Sequence, residues 1–370
     1  MPSSTSNSSA DYWVRPMAER VAPAIAWWRA AFFAMIAITL SVAAWEWSMR
    51  QAGLRTNDLG DSNAQWAREW RRAHSGEGKA VIVGSSRLLF DLDPELWGRL
   101  TGVRPIQLAK EGINPRPILT DLAADPTFNG LVIFGYDPRP FFRSASDGEA
   151  LVRSATTEPL FKQTGLPIHD ALSRAFAFID PRMAPMGWIE RVPVPQRTKT
   201  GLFNYPWKLA ESGPQRNTSM WPRVETDAAY RSRASAIWLL PPPGTKPPTQ
   251  KDFDTAVSQV ARDVARIRAR GGEVVLIRSP SDPPLLTQED RRFPRSTTWD
   301  RLVSNTGAIG IYWQDDPVLA KMRTVELSHL SKADRDPYTR RIVELLNHAL
   351  AKRGQNIAGL GATSVRPSSR

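Results

Sequence analysis

The chain has 370 residues, of which 41% are apolar, enough for a real core and too many for a globally disordered polymer. Its formal charge is +12, but the excess is mostly arginine scattered along the chain, with no dense basic block and no nucleic-acid motif, so no nucleic-acid partner is expected. Cysteine is absent, which excludes disulfides, thiol catalysis and Cys-ligated metal.

Residues 1–26 form a polar tail, Ser-rich over 1–12, where no packed structure is expected. The next segment, 27–47, reads WWRAAFFAMIAITLSVAAWEW and is free of charge from Ala30 to Trp45. With its flanks it reaches the roughly 20 residues that cross a bilayer. Trp27, Trp28, Trp45 and Trp47 mark both ends, as interfacial anchors do. The alternative is a signal peptide cleaved near Val42-Ala43-Ala44, but the leader before it is long for one. The expectation is therefore a single-pass anchor in membrane lipid. Its flanking charges do not fix an orientation. Arg15, Arg20 and Arg29 lie before it and Arg50, Arg55 and Arg68 after it.

Residues 48–77 read as a connector, with a short helix over 63–74 that puts Trp66 and Trp70 on one face. A domain is expected over 78–354. Short apolar runs predict strands at 79–84, 103–108, 131–135, 273–277 and 309–313. Between them lie helical patterns. The clearest is Phe253, Val257, Val260, Val264 and Ile267, ended by Gly271-Gly272, and a last helix is expected over 337–350. Strands alternating with helices predict an α/β domain with a short parallel sheet covered on both faces. The pattern breaks over about 143–250, a stretch rich in Pro, Arg and Trp that includes Trp188, Trp207, Trp221, Trp238 and the turn at 241–244. It reads as an insertion, either a lid or polymer-binding wall or a structural cap with tryptophans as core. Trp207 is the candidate for substrate contact. Residues 355–370 form a Gly/Ser/Arg-rich tail.

Two motifs carry chemistry. In Val81-Ile82-Val83-Gly84-Ser85-Ser86-Arg87 a strand runs into a turn and delivers a serine to the ligand-binding edge of an open sheet. In Glu326-Leu327-Ser328-His329 a histidine follows a carboxylate by three residues, which supplies a general base and its orienter. The other histidines, His74, His169 and His348, have no such neighbour in a turn. Arg87 can clamp a carboxylate or phosphate on the substrate or form a salt bridge within the first helix, and Arg278 is ambiguous in the same way. There is no Walker loop, dinucleotide fingerprint, paired-histidine zinc motif or Gly-x-Ser-x-Gly elbow, so no cofactor and no metal are expected.

In these blocks the chain resembles the SGNH (GDSL-like) hydrolase superfamily, in particular its membrane-anchored, envelope-associated branch whose first block reads Gly-Ser-Ser-Arg. Gly84-Ser85-Ser86 is similar to the Gly-Asp-Ser pattern, with Ser86 at the nucleophile and Ser85 replacing the aspartate. Gly112, in Gln107-Leu108-Ala109-Lys110-Glu111-Gly112, matches the glycine whose N–H helps bind the oxyanion. Gly135-Tyr136-Asp137-Pro138 stands for Gly-x-Asn-Asp, and Glu326-Leu327-Ser328-His329 for Asp-x-x-His. The resemblance covers about 78–350, interrupted by the insertion. It implies a three-layer α/β/α fold and a Ser86–His329–Glu326 site. The oxyanion donors would be the N–H groups of Ser86 and Gly112, each worth about 3 kcal/mol. Asp137 falls where the family has a donating asparagine, and an ionised carboxylate cannot donate. Either it points away, or Asn114 takes over, or the site is degenerate. The resemblance further implies an esterase or O-acyltransferase acting on an envelope polysaccharide or related glycan, with the large domain outside the cytoplasm. The alternative is a non-catalytic module that binds glycan or partners an integral-membrane acyltransferase.

Overall fold

The computed structural model describes residues 27–180, 196–198, 201–203, 206–239 and 248–354. The readings for the two tails, for Trp188 and for the turn at 241–244 lie outside the described residues. The chain divides into two compact units, Met1–Ala52 and Gly53–Arg370.

In the first unit one helix runs over Trp27–Gln51. Its 25 residues extend ~37 Å at the α-helical rise, longer than the ~30 Å hydrocarbon layer of a bilayer. Its apolar side chains are exposed from Trp27 to Trp47, Met49 in the last turn is buried, and the helix is long and apolar enough to cross a membrane. It continues four residues beyond the predicted 27–47, where Arg50 Nε donates to Glu46 Oε1 at 2.6 Å.

The large unit is an α/β domain on a five-stranded parallel sheet. The strands are β1 (Ala80–Val83), β2 (Ile106–Gln107) and β3 (Leu131–Gly135). Two short antiparallel hairpins follow, β4 (Gln196–Thr198) with β5 (Gly201–Phe203), and β6 (Ala210–Ser212) with β7 (Thr218–Met220). The sheet resumes with β8 (Glu273–Arg278) and β9 (Ile309–Tyr312). The order is β2-β1-β3-β8-β9, with Val81 beside both Ile106 and Val132, and Val275 beside both Ile133 and Ile309. β1, β3 and β8 are buried throughout, which is why they read as continuous apolar runs rather than alternating ones. The predicted strand at 103–108 shrinks to two residues. Pro105 has no N–H to give the ladder, so pairing starts at Ile106.

The chain moves from β1 outward to β2, then back past β1 to β3 and on to β8 and β9. Right-handed crossovers in opposite directions put their helices on opposite faces. The helices Ser86–Asp91 and Pro94–Thr101 therefore cover one face, where Arg335–Lys352 packs on both of them. Arg116–Ala124, Gln250–Ala269 and Trp299–Thr306 pack together on the other. The reversal lies between β1 and β3, and the crevice beyond their C-terminal ends is where such sheets bind ligands.

Two readings are revised. The segment taken as a connector, 48–77, is split: it is helical to Gln51, and from Gly53 it is built into the large unit. Leu54, Leu59 and Trp66 are buried, and Lys208 Nζ pairs with Asp58 and, at 3.1 Å, with Asp180. The expected insertion, 143–250, has more regular structure than its sequence suggested, with helices at Ser146–Thr156, Leu160–Ala175, Pro222–Thr226 and Ala228–Leu239. Its periodicity was hard to read because Leu160–Ala175 contains Pro167 and turns apolar residues outward. Trp221 is core, and Trp207, the candidate for substrate contact, is half-buried and packs edge-on against it at 5.0 Å.

His74 is fixed between two carboxylates, Nδ1 to Asp125 at 2.6 Å and Nε2 to Asp121 at 2.9 Å. Burial works against the imidazolium, but Asp121 and then Asp125 outweigh it and hold the pKa above its usual value. The stabilisation is therefore complete below the unfolded pKa of ~6.5 and is lost as pH rises through the higher folded value. In urea unfolding, His74→Asn is expected to cost about 1 kcal/mol at pH 6 and clearly less at pH 9.

Candidate active site

The site begins at two glycines. A Cβ on Gly135, at the end of β3, would lie 2.8 Å from Leu88 Cγ, and one on Gly84 would lie 3.2 Å from Leu88 Cβ. Both positions must be bare for the helix Ser86–Asp91 to start directly over the strand ends. Ser85 is the N-cap, and Ser86 is the first helical residue. From Ala80 to Leu92, Ser86 is the one residue that is not buried.

The second motif is a tight loop after β9. Val325 N donates to His329 O at 2.8 Å, and Leu327 takes a left-handed φ of 79°. Non-glycine residues adopt such a φ only where the surroundings enforce it. Here Leu327 O accepts from Asp282 N at 3.1 Å, and Asp282 Oδ2 accepts from Thr324 N at 2.6 Å. The turn aims Glu326 Oε1 at His329 Nδ1 in a short hydrogen bond. Glu326 Oε2 accepts from Ser328 N at 3.1 Å and from Trp238 Nε1 at 2.7 Å. Burial alone would lower the His329 pKa, but the Glu326 carboxylate reverses this and raises it.

The structure brings the two motifs together along the helix Ser86–Asp91. Arg87 Nε donates to Ser328 Oγ at 3.1 Å, the Phe90 and His329 rings lie 4.4 Å apart, and Leu330 N donates to Asp91 Oδ1 at 2.9 Å. Ser86 is one turn before Phe90 on the same helical face. No hydrogen bond joins Ser86 Oγ to His329 Nε2; that nitrogen is buried with no hydrogen-bond partner among the described residues, and the imidazole packs beside the Phe90 ring and the Trp238 ring, whose centre lies 5.4 Å from its own.

Beneath Ser86 lies a buried charge cluster. Arg87 and Arg278 both bind Glu289, at 2.7 and 2.5 Å, and face Asp137 Oδ1 at 3.5 and 3.9 Å. Burial would raise the Glu289 pKa, but the two guanidinium groups hold it down at about 2. Asp137 also accepts from Ser85 Oγ. Its carboxylate is thus turned into the cluster and away from any donor role. Arg87 is 3% exposed and fully engaged, so it is a structural pair rather than a substrate clamp, and its partner lies on the helix Leu285–Arg292 instead of its own. Arg278 is engaged in the same way.

The remaining oxyanion candidates differ from one another. Gly112 is exposed at φ 68°, with its carbonyl held by Arg143 Nη1 at 2.7 Å, and its N–H bonds no described residue. Asn114 is buried. Its amide donates to Arg143 O at 2.8 Å and its oxygen accepts from Arg116 N at 3.0 Å, so it braces this loop. Arg216 fixes the same block from the hairpin side, donating to the carbonyls of Gln107 and Ala109 at 2.5 and 2.7 Å.

Two site residues escaped the sequence reading. Asp91 is buried beside His329, and burial lifts its pKa to about 7 against the opposing pull of that imidazole. Its signal was an acid directly after the apolar run Leu88-Leu89-Phe90. Trp238 was visible only as one tryptophan among several in the insertion. Among the described residues no group of three His, Cys, Asp or Glu converges on a metal position. Compared with protein-family models, curated proteins and solved structures, the chain matches none.

Proposed function

We propose that the large unit is an SGNH-type serine esterase or O-acyltransferase, tethered to a membrane and acting outside the cytoplasm on acyl esters of an envelope polysaccharide or related glycan. The observation that supports this reading is the pairing of an accessible Ser86 at the sheet's switch point with a His329–Glu326 couple packed along the same short helix. His329 Nε2 takes the proton from Ser86 Oγ as Oγ bonds to the acyl carbon, and the same proton passes to the departing sugar oxygen. Water or a second sugar hydroxyl then repeats the sequence in reverse and frees Ser86. The N–H groups of Ser86 and Gly112 receive the oxyanion.

The second reading, a glycan-binding or partner module without catalysis, is favoured by the missing Ser86–His329 hydrogen bond and by the carboxylate at 137. Catalytic hydrogen bonds are often unmade before substrate arrives, so the first observation does not decide the matter. The full chain in detergent is expected to release acetate from an O-acetylated glycan, or to move acetyl between glycan chains. Glycan binding without either reaction, unchanged in Ser86→Ala, would establish the module instead.

A further inference from the structure

The helix Leu160–Ala175 presents an apolar stripe to the outside. Phe161, Ile168 and Leu172, with Phe176 just beyond the helix, are spaced seven, four and four and share one face. Leu160 adjoins them. Of the seven exposed large apolar side chains described in the large unit, five lie between Leu160 and Phe176. A concentration of this kind marks a contact surface.

The stripe is held outward. On the opposite side of the helix, Asp170 accepts from Gln65 Nε2 and Arg68 Nη1, each at 2.7 Å, and Leu166 and Ser173 are buried. Asp170 is the helix's one acid and is thereby removed from the surface, whereas Lys162 and Arg174 are exposed. Apolar and cationic with no exposed acid is the character of a helix lying in an anionic lipid interface. The tether points to the same partner. Asn57 N donates to Ser173 O at 2.8 Å, and Asn57 follows the end of the apolar helix Trp27–Gln51 by six residues, a reach of at most ~20 Å.

We propose that the Leu160–Phe176 face lies flat in the headgroup boundary of the bilayer that holds the N-terminal helix. The inference rests on the reading that this helix spans a membrane. It adds a second membrane contact, which fixes the orientation of the large unit and so the height of Ser86 above the lipid.

The chain has no cysteine, so a single Ile168→Cys carries an environment-sensitive fluorophore in the full-length protein, reconstituted in vesicles containing phosphatidylglycerol. Glu149→Cys, on the exposed side of the helix Ser146–Thr156, is the control. The expected result at 168 is blue-shifted emission that lipids with spin-labelled acyl chains quench severalfold more than at 149. Emission as in water, or a blue shift without lipid quenching (the signature of a second copy covering the face), overturns the proposal. Carbonate extraction of the same vesicles tests the anchor separately. Protein retained with a watery label at 168 refutes this proposal alone, whereas protein released by carbonate refutes the anchor and the proposal with it.

Discussion

Ser86→Ala and His329→Ala are each expected to slow modification of the full chain by a fluorophosphonate by roughly a thousandfold or more. The reagent reports an activated serine and no particular substrate, so the result does not depend on which glycan is used. A sharper expectation concerns Glu326. Its Oε2 receives two donors, Ser328 N and Trp238 Nε1, whereas Oε1 receives the imidazole. In Glu326→Gln the two donors keep the oxygen of the amide, and the amide NH2 is left facing His329 Nδ1. That nitrogen must then accept, which puts the ring proton on Nε2 and deprives Ser86 of its base. The loss should approach that of removing the histidine, ~10³–10⁴-fold, from a change that alters almost no volume. In the wild type the rate should climb with pH through a value above the ordinary ~6.5 of imidazole, because the carboxylate raises the pKa of His329 and only the neutral ring can act as base. Equal labelling of wild type and Ser86→Ala in folded protein would leave the non-catalytic module as the reading.

The two halves of this site were legible in the sequence for different reasons. β1 could be read because a strand buried on both faces is a continuous apolar run, and the Gly-Ser-Ser turn shows where it stops. The histidine could be read because its orienter is three residues away in the chain. Trp238 could not. Its role depends on the helix Ala228–Leu239 crossing to a loop 88 residues later, and nothing local records that pairing. Asp137 shows the converse. Its position by the third strand was readable, but whether its charge would face a substrate depended on Ser85 and Arg87 of the first motif and on Arg278, almost two hundred residues later in the chain. The insertion misled because its helices do not all turn their apolar sides inward. Periodicity predicts burial only where the apolar face meets the core.

Breaking the cluster beneath Ser86 should destabilise the protein as well as impair its site. Glu289 is 3% exposed and is the shared counter-charge of two arginines that are equally buried. Glu289→Gln leaves Asp137 alone to balance both, at the longer distances of 3.5 and 3.9 Å. Removing one partner from a buried charged network costs ~3–5 kcal/mol, measured here as the shift in urea unfolding. The effect has a defined pH window. Because the folded pKa is depressed to about 2, the contribution is present above the unfolded value of ~4.3 and is lost as pH falls from there towards 2. The difference between wild type and Glu289→Gln should therefore be constant from pH 5 to 7 and close below pH 4. Arg87→Lys should reproduce part of the loss although it keeps the charge. The guanidinium serves Ser328 through Nε and Glu289 through Nη2, and one ammonium cannot hold both directions. The bond to Ser328 ties the cluster to the loop that carries His329. In material that remains folded, Arg87→Lys should accordingly slow fluorophosphonate labelling, which separates a failure to position the base from a simple loss of stability.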